Sequence, residues 1–140
     1  MRAFVYSLLT SRTTVAAVAL QELVPIAQIR ASGGAAVGPS VTLPTPFIVI
    51  RDLSRANVFR GTVRQGGVSI HVHDDPDSYV KIDAITKAIQ KIMDDLSPQW
   101  FGSLWIMDVE PQGWSEDLYD DHYGTATRNG TYGITANAIG

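Results

Sequence analysis

No cysteine occurs anywhere in the 140 residues. A disulfide framework and thiolate chemistry are therefore both excluded, and the absence is compatible with a reducing compartment. Long apolar runs are missing too. The longest, VAAVAL at 15–20, falls far short of the roughly 20 residues that a membrane span needs. The opening MRAFVYSLLTSR has one early Arg, but no sustained apolar region and no small-residue cleavage site. Neither a signal peptide nor a membrane is expected. Without secretion, the sequon Asn129-Gly130-Thr131 has no meaning. Also absent are GxSxG, a Gly-rich loop ending in Lys-Ser/Thr, and HExxH. ASGG at 31–34 follows no predicted strand and opens no helix, so it makes a poor phosphate cradle. No catalytic residue, cofactor or metal is expected from these patterns.

What is present fits one compact domain over 1–140, with 45% hydrophobic residues and enough chain to bury a core without staples. The net charge of −3 gives no basic footprint for duplex binding. Its distribution is uneven. Residues 1–64 hold seven Arg against Glu22 and Asp52, for a net of +5. Residues 65–140 hold four bases and twelve acids, for a net of −8. Between 108 and 123 lie six acids and no Lys or Arg. Complementary patches that meet in a partner or a second copy are one reading. Ordinary surface variation is the other.

The apolar spacing predicts an N-terminal helix with Phe4, Val5, Leu8 and Leu9 on one face, and a second helix stopping near Pro25. Residues 31–46, rich in Gly and Pro, read as a long flexible loop. FIVIR at 47–51 is a strand buried on both faces. Residues 52–67, with Arg55, Arg60 and Arg64, read as a long hairpin connection. VSIHVHD follows as a strand with Val68, Ile70 and Val72 on one face and Ser69, His71 and His73 on the other. A long helix over about 78–96 presents Ile82, Ile85, Ile89, Ile92, Met93 and Leu96 at helical spacing. Residues 100–110 read as one strand rich in Trp. The C-terminal GTATRNGTYGITAN reads as a β-hairpin turning at Asn129-Gly130, the pair that suits two positive φ angles. The sum is an α+β fold: N-terminal helices, a mostly antiparallel sheet, and the long helix packed on it.

Two histidines and three aspartates crowd into SIHVHDDPDSY at 69–79. His71 and His73 share a strand face, as a two-His metal site would. Further ligands would have to come from Asp75, His122 or Asp120, and nothing in the sequence brings these together. Asp77 or Ser78 also has a simpler use, as a cap for the following helix, and acids there suit its dipole. The structural reading is preferred, with a small metal-binding enzyme using His71, His73 and His122 as the alternative from another class. Asp120 and Asp121 read as a solvated acidic loop, and Trp100, Trp105 and Trp114 as core or interface residues.

The succession MRAFVYSLL, TPFIVIR, VSIHVHDDPDSYVKIDAITKAI and TATRNGTYG resembles the tail terminator proteins of long-tailed, siphovirus-type bacteriophages, particularly those of actinobacteria. The resemblance spans most of the chain and is weakest over 13–46. It implies a non-enzymatic virion protein whose subunits form a homo-oligomer, a hexameric ring. Such a ring caps the head-proximal end of the tail tube and joins the tail to the head connector or head-closure protein. DNA passes through it without specific binding. Its place would be the neck of the virion, reached from the host cytoplasm during assembly. A tail-completion or head-closure neck protein is the near alternative. The charge pattern then nominates Arg55, Arg60, Arg64, Asp117, Asp120 and Asp121 as interface residues.

Overall fold

A computed structural model describes residues 1–32, 44–53, 63–77, 79–94, 96–121 and 123–138. It has three α-helices, α1 (Arg2–Leu9), α2 (Val15–Leu23) and α3 (Tyr79–Asp94), and a 3-10 turn at Ile26–Gln28. Seven strands complete it: β1 (Ile29–Ser32), β2 (Phe47–Leu53), β3 (Val63–Asp74), β4 (Gln99–Phe101), β5 (Leu104–Trp114), β6 (Leu118–Asp120) and β7 (Thr125–Ala138). All seven form one sheet in the order β1-β2-β3-β7-β5-β4, with β6 beside β7. Every pairing is antiparallel except that of β1 with β2. The fold is α+β with a mostly antiparallel sheet, as the order of patterns predicts.

The helices pack on one face of the sheet because period-3.6 and period-2 stripes meet there. Ile82, Ile85, Ile89 and Met93 of α3 join Val68, Ile70 and Val72 of β3 in the core. Phe4, Val5 and Leu9 of α1 and Ala17 and Leu20 of α2 complete it. Full burial of each isoleucine contributes about 1.5–3 kcal/mol. Strand β2 is apolar on both faces, as expected: Ile48 and Ile50 enter this core, while Phe47 and Val49 pack with Tyr123 on the other side.

Several expectations are corrected. Residues 125–138 are not a hairpin but one 14-residue strand, pairing β3 along one side and β5 and β6 along the other. Neither Asn129 nor Gly130 has a positive φ. Glycine is needed at 130 for close approach instead. A Cβ there would lie 2.3 Å from Cε2 of Trp114, so the indole lies on bare backbone. The turn falls earlier, inside the predicted Trp-rich strand. Gly102, at φ 58°, separates β4 from β5, the first-position glycine of a II′-type hairpin. The connection predicted at 52–67 is shorter, since β2 reaches Leu53 and β3 starts at Val63. ASGG does follow a strand, because Ala31 and Ser32 end β1. Of the two residues expected to cap α3, Asp77 is exposed and Ser78 lies outside the described residues. The buried Asp74 carboxylate accepts the Asp75 N–H at 2.8 Å and faces Lys81 Nζ of α3 at 4.0 Å.

Candidate functional site

The parity of the ladders decides what stands on the face away from the helices. Phe47, Val49 and Arg51 of β2 pair with His73, His71 and Ser69 of β3. These pair in turn with Thr127, Asn129 and Thr131 of β7. Two environments result. Toward one end the face is aromatic and buried. The His73 ring stacks on Phe47 at 4.5 Å and meets Tyr123 edge-on at 5.2 Å. Its Nδ1 bonds the Thr125 hydroxyl at 2.8 Å. Burial pushes the His73 pKa down to about 4, against the raising effect of Asp120. The His71 pKa is lowered as well, by burial and then by Arg51, and its Nε2 lies 2.9 Å from Ser69 Oγ.

These two histidines share a face as the sequence predicts, but the groups around them are hydroxyls and aromatic rings. Asp75 is taken up by the Thr45 hydroxyl at 2.8 Å, and Asp120 accepts the Tyr123 N–H at 3.1 Å. His122 lies outside the described residues. Among the described residues no group of three His, Asp or Glu side chains stands ready to hold a metal ion.

The nominated interface residues are dispersed. Arg64 is exposed on β3 opposite Ala136, whereas Asp117 lies before β6, which pairs with Thr125–Thr127. That is nine residues along β7, about 30 Å, so the two cannot meet within one chain. Asp117 is bound instead to the Arg128 guanidinium, which also reaches Asp83 of α3 at 3.0 Å. The Asp117 bond, and then the Asp83 bond against burial, raise the Arg128 pKa, while the Lys87 bond, and then the Arg128 bond, lower that of Asp83. The trio ties the segment before β6 to α3. Asp121 is exposed, and Arg55 and Arg60 lie outside the described residues.

Three features were not anticipated from sequence. Toward the other end of the same face lies an open trench of about 460 Å³, walled by Asp108, Glu110, Gln112, Leu53 and Gln65. Gly133 in its floor leaves room for Gln112, whose Nε2 lies 2.8 Å from where a Cβ would sit. At one outer strand Arg30 is exposed, opposite Val49. At the other, Trp100 is 55% exposed and tilts against Trp105 at 5.2 Å. The alternation of 125–137 was the signal for the face. The register that brings Asp108 beside Thr135 needs a bulge at Met107, and no sequence pattern marks it.

No protein-family model matches the chain, and no curated protein does. Among solved structures the fold is similar to a chain of the virion of a native gene transfer agent (GTA) particle. The TM-score is 0.58 and the identity 14%, over 98% of this chain and 94% of that one.

Proposed function

We propose that the chain is a structural protein of a phage-like virion, and within it a tail terminator. Six copies form a ring on the head-proximal end of the tail tube. The ring stops tube polymerisation and presents its upper surface to the head connector. The observation that carries this reading is the likeness in fold to a virion chain across nearly the whole of both chains. The succession of sequence phrases quoted above supports it independently. The chemistry agrees. The two histidines are held by hydroxyls and rings, Asp117 is tied to Arg128, and Asp120 holds a turn. Such groups build a rigid subunit. The remaining acidic side chains give a surface that lets DNA slide past without retaining it.

The test combines the purified chain with the tail tube protein of its own phage. Negative-stain images should show tubes capped at one end by a ring whose mass is about six times 15.2 kDa. Tube growth should stop at that end. Uncapped tubes that keep growing in excess chain would refute the terminator role. Binding to the connector alone, with no effect on tubes, would move the assignment to a head-closure protein.

A further inference from the structure

The charge imbalance of the sequence becomes a spatial one in the sheet. Strands β1 and β2 carry Arg30 and Arg51 on the helix-free face, with Asp52 the only acid. From β4 through β6, residues 99–120 hold Asp108, Glu110, Glu116, Asp117 and Asp120 and no Lys or Arg. The basic strands and the acidic strands lie at opposite sides of one sheet. Among the described residues β1 pairs only with β2 and β4 only with β5, so each presents an outer edge.

The two edges also match in form. Beyond β4, strand β5 carries Pro111, and its pairing with β7 has a bulge at Met107 and a second irregularity between Pro111 and Trp114. Bulges twist a strand and proline removes a ladder donor, so β5 is a poorer edge than β4. The two outermost strands are of similar length, three residues in β4 and four in β1. Trp100 stands on the helix-free side of the β4 edge. On the helix side an apolar groove of about 530 Å³ runs beside it, lined by Leu8, Ala16, Ile92, Leu96 and Phe101. Asp108 lies two β7 residues from Trp105 on the same face.

We propose that the β4 edge of one copy receives the β1 edge of the next, with Trp100 and Asp108 of the first meeting Arg30 of the second. Arginine over an indole and beside a carboxylate is a favourable pair at a desolvated contact. The contact is heterologous: two different patches meet, and each copy keeps one of each for a further neighbour. Repetition about an axis closes a ring if the rotation allows and otherwise builds a filament. The inference rests on the ring reading for closure, but not for the contact itself.

The absence of cysteine makes the test clean. The full chain is prepared as Arg30→Cys, as Trp100→Cys and as both together, each checked for a native thermal transition, then oxidised at high concentration. Both positions are exposed, so folding should survive. The double variant should give a ladder of disulfide-linked oligomers. The two single variants should link when mixed and hardly at all alone. Equal linking within each single variant, or no ladder from the double, overturns the edge contact. A second, non-covalent measurement uses Arg30→Glu, Asp108→Arg and the exchanged pair. Each reversal should weaken self-association by native mass spectrometry, and the exchange should restore it. Unchanged association in both single reversals also overturns it. Wild-type rings without a ladder would refute the edges and leave the ring standing. A ladder that images as open filaments would keep the edges and refute the ring.

Discussion

The indole of Trp114 lies directly on the backbone of Gly130, so close that a single methyl group at 130 would stand 2.3 Å from Cε2. The indole N–H donates to the Tyr132 hydroxyl at 3.2 Å, and the two rings meet edge-on. A glycine in mid-strand ordinarily weakens a sheet. Here it lets an aromatic ring from β5 seal the core against β7. Gly130→Ala should therefore destabilise the protein by about 1–3 kcal/mol, the range for overpacking, although alanine is otherwise the better residue for ordered backbone. A urea midpoint that stays put or rises would disprove the packing role.

Ile85 and Ile89 are fully buried beneath the sheet. Their truncation to Ala should each cost about 2–5 kcal/mol. Denaturant unfolding measures it, and Val80→Ala supplies the contrast, since Val80 is 88% exposed. Equal effects at 80 and 85 would mean that the buried stripe of α3 lies elsewhere.

His73 is neutral in the folded state, its pKa pushed to about 4 by burial. An unfolded histidine titrates near 6.5. Between these values the unfolded chain binds more protons, so stability is complete above about 6.5 and falls as pH drops toward 4. By pH 5 the loss from this group is at most about 2 kcal/mol. His71 adds to it in the same direction. His73→Phe should flatten the dependence between pH 7 and 5. A variant whose melting temperature tracks the wild type across that range would show that the acid sensitivity lies elsewhere.

Arg128 bridges Asp117 and Asp83. Arg128→Met should free the segment before β6 from α3. Amide exchange at 115–120 should accelerate, with little change in β3. Part of the effect should be reproduced in the wild type by salt, because both carboxylates are partly exposed and screened. Uniform protection in the variant would show that the segment is held by something other than the clamp.

Arg64 is exposed on β3, and Arg60 lies outside the described residues. Reversing both to Glu should leave the subunit folded and block docking in a terminator-null phage. Overlong tails or unjoined heads are the expected phenotype. Normal tails with full plaque yield would remove these arginines from the interface.

The sequence by itself determined the layers of the fold. The isoleucines of α3 and the alternation of Val68, Ile70 and Val72 are local patterns, and a period of 3.6 or 2 fixes a face whatever the neighbours are. The same alternation placed His71 and His73 together. What it left undecided depended on contacts remote along the chain. Asn129-Gly130 satisfies the local chemistry of a turn, but two long neighbours, β3 and β5, claim that backbone for their ladders. Trp114 then takes the space that the missing side chain leaves. Asp117 was nominated for an interface, yet it is taken up inside the subunit: Arg128, 11 residues away along the chain, binds it and also Asp83, a pairing made only after folding. The separation of charge was legible as a difference between halves of the chain. That it runs from one outer strand to the other is a property of strand order, which is set by long-range hydrogen bonding and by no local signal.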